Sequence, residues 1–354
     1  MKTILLAPLP PPSGGIAGWT KRMISLSGCY KDREFLVVDE KIIQKNRVKD
    51  LNKKPGIFSE IQRTFLIWKN LNNLLKKEKD ARVVHSCIPA YFTSMLREYI
   101  CSKITKKHKG KFIVHFRCTV PNTIKRKRDL LLLKKFLKSC DAVIVLNRVS
   151  YDFIKNLGYT KELTIIPNFV QENEIFGMIK KFDGPVKQIV YTGRLFEDKG
   201  CLEVISVARH MPNITFKLIG KNCLGDVEIP NNVILTGELS KTEVSKELIN
   251  SDCFIFLSYF LGEGFSNSLL EAMSSGLPCI VSDWAANKDM IENAGGFVVD
   301  KNDITQICEK IKLLDEPTYR SKLGNENIKK VRDEYSERVV LNKYIELYER
   351  LENK

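Results

Sequence analysis

LGEGFSNSLLEAMSSGLPCIVSD, residues 261–283, runs from a glycine loop through a helix-like segment into an apolar strand. The apolar run CFIFLS (253–258) stands directly before it, so the local order is strand, loop, helix, strand. Leu269, Leu270, Ala272 and Met273 give the middle segment an apolar face, and Asn267 is its expected N-cap. Two carboxylates, Glu263 on the loop and Glu271 on the helix, flank the helix start. Packing alone requires neither. A helix that begins just past a strand aims free backbone N–H groups beyond the strand end, where an anion is the natural guest. A phosphate there, with a carboxylate on either side, describes a ligand that is anionic in the middle and polyhydroxylated at both ends. A sugar nucleotide fits that description.

The same strand–helix alternation extends outward in both directions. Apolar runs occur at 2–7, 35–39, 82–86, 111–116, 142–146 and 163–167, and again at 188–193, 214–220, 233–237, 253–258, 277–283 and 295–299. Continuous apolar runs alternating with helical stretches read as buried parallel strands in βαβ units. The set of six appears twice, which predicts two doubly wound Rossmann-like domains, 1–170 and 171–334. The pattern lapses between Asn168 and Gly184. A closing helix is expected over about 335–354, with Tyr344, Leu347, Tyr348 and Leu351 on one face, packed back on the first domain. Ligands of such sheets bind beyond the C-terminal strand ends, so two facing domains are expected to enclose a cleft.

At 354 residues, two domains are also the expectation from length. No run approaches the roughly 20 apolar residues of a membrane span. Pro8 and Pro10 to Pro12 interrupt the start too early for a secretory segment, so a cytoplasmic chain is expected. The 10 cysteines are scattered, with no C-x-x-C, and read as reduced, mostly buried thiols. Charge is uneven: residues 1–170 hold 34 Lys+Arg against 13 Asp+Glu, a balance of +21, and the remainder carries −6. The basic half calls for an anionic partner. Within it, KRKRDLLLLKKFLKSC (125–140) begins with Lys125, Arg126, Lys127 and Arg128. Leu130, Leu133, Leu137 and Cys140 form its expected core face, which leaves Leu131, Leu132 and Phe136 for an anionic membrane surface. RTFLIWKNLNNLLKK (63–77) is a second candidate for that contact.

The opening stretch resembles the E-x7-E signature of family-4 retaining glycosyltransferases of GT-B architecture. The resemblance implies that Glu263 binds hydroxyls of a donor sugar and Glu271 the ribose. It also implies that the amides of Gly264, Phe265, Ser266 and Asn267 hold the sugar and diphosphate. YTGRLFEDKG (191–200) is similar to the family's VGRL-x-x-x-KG, which implies that Arg194 and Lys199 neutralise the leaving diphosphate. PPPSGGIAGW (10–19) occupies the place of a loop facing the donor phosphates and the acceptor, with Gly14 and Gly15 allowing close backbone approach. GEL (237–239) sits where the family cradles the base, with Leu239 against it. IPNFV (166–170) resembles the family's interdomain IPNGVD, with Phe169 in the place of glycine. The family often has a histidine just past the fourth strand. Here that place belongs to Arg117, and His115 lies two residues earlier, so either His115 acts from a shifted position or Arg117 substitutes as a charge stabiliser.

The resulting expectation is a retaining glycosyltransferase. It would move a sugar from a UDP- or GDP-linked donor to a saccharide or lipid-linked acceptor, in cell-surface polysaccharide synthesis and at the inner face of the membrane. No Asp-x-Asp pair is present, so no metal and no cofactor are expected. A nucleotide-sugar epimerase or hydrolase of the same architecture is the rival enzyme. A basic nucleic-acid-binding protein is the rival of another class, opposed by the lack of a binding module or an aromatic stacking set.

Overall fold

Each of the twelve apolar runs forms a strand. The structure, a computed structural model, describes all residues except 12–13, 28–32, 42–55, 176–179, 293–294 and 354. It divides into two units, Met1–Ile166 with Tyr344–Lys354, and Pro167–Lys343.

The first unit contains, in order, β1 (Lys2–Ala7), α1 (Gly15–Ser25), β2 (Glu34–Asp39), α2 (Ile57–Lys77), β3 (Ala81–Ile88), α3 (Phe92–Lys107), β4 (Lys111–Phe116), α4 (Val120–Thr123), α5 (Lys127–Ser139), β5 (Ala142–Val145), α6 (Arg148–Asn156) and β6 (Glu162–Ile165). The strands form one parallel sheet in the order β2-β1-β3-β4-β5-β6. Side chains alternate across a strand, so each strand serves two faces. On one face Ile4, Leu6, Val84, Ile88, Phe112, Val114 and Phe116 pack with Ile67 and Leu71 of α2, Met95 of α3, and Leu133, Phe136 and Leu137 of α5. The opposite face carries His85, Cys87 and His115, covered by Trp19 of α1 and by Tyr344 and Tyr348 of the last helix.

The second unit contains β7 (Gln188–Thr192), α7 (Cys201–His210), β8 (Thr215–Ile219), β9 (Val233–Gly237), α8 (Lys241–Asn250), β10 (Cys253–Phe256), α9 (Asn267–Ser274), β11 (Cys279–Ser282), α10 (Asn287–Ile291), β12 (Gly296–Val299), α11 (Ile304–Leu313) and α12 (Pro317–Lys330). Its parallel sheet runs β12-β11-β10-β7-β8-β9. That is the Rossmann order, with the order of strands reversing between β7 and β10.

The last helix, α13 (Glu337–Glu352), starts two residues later than expected, after a π-helical turn at Val331–Tyr335. Tyr344, Leu347, Tyr348 and Leu351 are buried on one face of it, in the stretch grouped with the first unit. The link also behaves differently from a glycine hinge. Phe169 is buried, and Val170 N–H donates to the Tyr335 carbonyl at 3.1 Å. Of the cysteines, seven are buried, Cys308 is half-buried, Cys223 is exposed, and Cys29 lies outside the described residues.

Candidate functional site

In an open α/β sheet the crevice at the reversal point takes the ligand. In the second unit that point is flanked by the loop after β7 and the loop after β10. Gly200 ends the first of these in the left-handed region, at φ +75°, and a Cβ there would lie 2.3 Å from the Leu257 carbonyl oxygen. This close approach brings Lys199 beside the second loop, where its ammonium pairs with the Glu263 carboxylate. Lys199 Nζ also sits 4.6 Å from the centre of the Phe260 ring. Phe260 is fixed in turn: its carbonyl accepts from Glu263 N at 3.0 Å and from Trp284 Nε1 at 2.7 Å. Phe260 and Trp284 were not singled out from sequence, since one aromatic on a loop carries no spacing signal. Arg194, on the same loop as Lys199, is exposed, with its guanidinium 5.1 Å from the Phe196 ring centre.

The N-cap of α9 is Ser266 rather than Asn267: the Ser266 Oγ accepts from Leu269 N at 3.3 Å. Asn267 is instead engaged by the interdomain link. Asn168 Nδ2 donates to Asn267 Oδ1 at 2.8 Å and to the Phe265 carbonyl at 3.0 Å. Gly264, Phe265 and Ser266 are buried, and the Phe265 ring meets Tyr335 edge-on at 5.2 Å. Glu271, one turn further, is half-buried and lines a cavity of about 290 Å³ with Asn173, Glu174, Lys241, Ser245 and Ser274. Glu174 and Lys241 form an ion pair at that cavity. Leu239 is half-buried in the turn between β9 and the Ser240-capped start of α8.

In the first unit, Gly14 and Gly15 are exposed at the start of α1, with Pro12 and Ser13 of that loop outside the described residues. Gly14 has extended backbone, φ −173°, and a Cβ there would meet nothing within 4 Å. His115 is fully buried, while Arg117 is half-buried past the end of β4. Nε2 of His85 and Nδ1 of His115 are 3.2 Å apart, and Cys87 Sγ lies 3.7 and 3.8 Å from them. Three such atoms can share a metal ion. Arg117 opposes that use: its Nη1 donates toward His115 Nε2 at 3.3 Å. A metal on Nδ1 would put a hydrogen on Nε2, facing the guanidinium's own. Burial, and then the Arg117 charge, lower the pKa of His85 to about 3, and the same causes with His85 added hold His115 well below the usual range. Both rings are therefore neutral and unsuited to proton transfer near pH 7.

Lys125, Arg126, Lys127 and Arg128 are all exposed at the start of α5. Phe136, expected to face outward, is fully buried and packs edge-on to Phe112 and Phe116. Leu131 alone of the extra apolar residues is well exposed, at 70%. In α2 the residues Ile67, Leu71 and Leu75 point inward, whereas Phe58, Ile61 and Phe65 form an exposed row mostly N-terminal to the expected stretch. Among the described residues no helix is long and apolar enough to cross a membrane.

Residues 172–330 match the protein family described as Glycosyl transferases group 1. The chain is 24% identical over 327 residues to an uncharacterized glycosyltransferase of Methanocaldococcus jannaschii, covering 84% of this chain and 81% of that protein. It is 23% identical over 361 residues to the alpha-galactosylglucosyldiacylglycerol synthase of Streptococcus pneumoniae, covering 91% and 93%. Among solved structures, HepE of Anabaena in complex with UDP superposes with a TM-score of 0.73 at 14% identity, over 100% of both chains. The last likeness shows the fold, two Rossmann-like units of the GT-B kind. The sequence matches support a glycosyltransferase enzyme.

Proposed function

We propose that the chain is a retaining, metal-independent glycosyltransferase that moves a sugar from a UDP- or GDP-linked donor to a saccharide or lipid-linked acceptor, in cell-surface polysaccharide synthesis. The observation that carries this reading is the pairing of Lys199 with Glu263 at the sheet reversal point, beside the N-terminus of α9. A cation, a carboxylate and a helix start there suit a diphosphate joined to a polyol. Glu271 would bind the ribose, with the base toward Leu239, and Glu263 the hydroxyls of the donor sugar. Gly264, Phe265, Ser266 and Asn267 would offer amides to the sugar and diphosphate, and Lys199 and Arg194 would stabilise the charge left as the C1–O bond breaks. The leaving phosphate oxygen would take the acceptor's proton as that acceptor attacks from the same face. Gly14 and Gly15 would leave room for the donor phosphates and the acceptor. Arg117 would act on developing negative charge in place of a histidine.

A lipid-linked acceptor is consistent with a basic first half. The exposed Lys125–Arg128 cluster, Leu131 and the Phe58–Ile61–Phe65 row suit peripheral contact with an anionic membrane. The relative from Streptococcus pneumoniae is named for a diacylglycerol product, which supports the same class of acceptor.

Calorimetric titration of UDP and GDP, with labelled-sugar transfer in the presence of EDTA, tests the proposal. Glu271→Ala should weaken nucleotide binding by about 1–3 kcal/mol, the value of lost ribose hydrogen bonds. Glu263→Ala should keep nucleotide affinity and lose turnover. Equal loss of nucleotide affinity in both variants refutes the division of roles. Loss of transfer in EDTA restored by Mn²⁺ refutes metal independence, and donor consumption without acceptor favours the epimerase or hydrolase.

A further inference from the structure

The neutral histidine pair is one segment of a longer buried string that starts on the C-terminal helix and ends at Arg117. A guanidinium can only donate, so at the 3.3 Å contact His115 Nε2 accepts. A neutral imidazole has a single N–H, which places the His115 hydrogen on Nδ1, where it donates to His85 Nε2 at 3.2 Å. The same logic puts the His85 hydrogen on Nδ1, donating to Tyr348 Oη at 2.6 Å. One obligate donor thus sets the direction of every bond in the series.

Both ends are tied down. Tyr348 lies with the Arg33 guanidinium 5.2 Å from its ring centre, and Arg33 forms two hydrogen bonds to the Glu352 carboxylate, at 2.8 and 2.7 Å. At the other end the Arg117 guanidinium stands 5.5 Å from the centre of the Trp19 ring. An arginine side chain loses much rotamer freedom when fixed, and here the acceptor nitrogen and the indole hold it together. All of these groups belong to the first unit.

We infer that Tyr348, His85 and His115 are positioning residues that aim Arg117, so that the C-terminal helix sets the placement of a cation used in transfer. The inference rests on the role given to Arg117 under the proposed function. It also explains two buried histidines that take no part in proton transfer, since both serve as directional acceptors and donors.

The test joins spectroscopy to kinetics. In ¹⁵N-imidazole spectra of the full chain at pH 7, His85 and His115 should both be Nδ1–H tautomers, and an Nε2–H tautomer at either overturns the string. Tyr348→Phe keeps the ring and removes the acceptor; it should lower kcat about tenfold with the donor KM unchanged within about twofold. Arg117→Ala should lower kcat by about 10²-fold, as for loss of one transition-state donor. In the Arg117→Ala background Tyr348→Phe should add nothing, because both changes remove one function. Multiplying losses in the double variant, or an unchanged kcat in Tyr348→Phe, overturn the inference. An Arg117→Ala variant with normal kcat overturns it together with the role of Arg117. The wider donor-site reading is judged separately, by the nucleotide affinity of Glu271→Ala. Where Tyr348→Phe fails to fold, the wild-type tautomers and the kcat of His115→Gln decide the matter by the same criteria.

Discussion

Gly200→Ala tests whether the close contact between the loops after β7 and β10 builds the donor site. Two costs are separable at this position. The first is conformational: an L-residue in the left-handed region at φ +75° costs about 1–2 kcal/mol. The second is steric, since the new Cβ would lie 2.3 Å from the Leu257 carbonyl oxygen and 2.7 Å from its Cβ. Backbone must move by about an ångström to relieve that, and overpacking of this kind costs about 1–3 kcal/mol. Gly225→Ala is the internal control, because Gly225 has φ +71° but nothing within 4 Å of a Cβ, so only the first cost applies. Urea unfolding should therefore show Gly225→Ala destabilised by about 1–2 kcal/mol and Gly200→Ala by about 2–5 kcal/mol, with equal m-values. Both glycines lie in the second unit, so they report on the same core. Nucleotide-sugar turnover should fall in Gly200→Ala and persist in Gly225→Ala, because only the first displaces Lys199. Equal destabilisation of the two variants, or full turnover in Gly200→Ala, would refute the reasoning.

The buried histidines make a pH prediction. Their folded pKa values lie below the unfolded value of about 6.5, so the stability they contribute is complete above that pH and is lost as pH falls below it. Between about pH 6 and 4 His85 should add up to about 1.4 kcal/mol per pH unit to the slope of stability, His115 acts in the same direction, and His85→Gln should flatten that slope in urea titrations. For α5, replacing Lys125, Arg126, Lys127 and Arg128 with serine should weaken binding to anionic vesicles, an effect that fades as salt rises. Unchanged vesicle binding would leave the cluster as a solvated helix start. Phe136→Ala should cost about 3–5 kcal/mol of stability, and Leu131→Ser almost none, as thermal or urea unfolding would show.

The strands were legible because parallel strands buried on both faces are continuous apolar runs, a signal that survives without knowledge of neighbours. The same cannot be said of α5, where LLLL (130–133) offers several apolar faces at once. Burial of Phe136 beside Phe112 and Phe116 is a choice made by the sheet, not by the helix. The cap of α9 was displaced by one residue for a similar reason. Ser266 and Asn267 are both good caps, and Asn168, 99 positions away, captures the asparagine. Glu263 stood out by its place on a glycine loop before a helix start, and Lys199 and Arg194 through motif likeness, but the ion pair and the Phe260 platform come from the approach of two loops that the chain separates. His85 and His115 read as isolated residues. Their partners arrive through strand pairing, which sets Cys87 opposite His115, and through Tyr348, which lies 263 positions beyond His85.

The grouping of Tyr344–Lys354 with residues 1–166 has a consequence for biosynthesis. A ribosome emits the second unit whole, between Pro167 and Lys343, before it emits the part of α13 from Tyr344 on that covers His85 and pairs with Arg33. At about 5–20 residues per second that interval lasts on the order of ten seconds or more. During it the first sheet has one face covered by α2, α3 and α5 and the other without its last helix. The nascent chain thus carries an open apolar and aromatic surface through about half of translation, a target for chaperones. A chain released early by a stop codon after Lys343 would keep that surface permanently, and degradation rather than mere inactivity would be its fate.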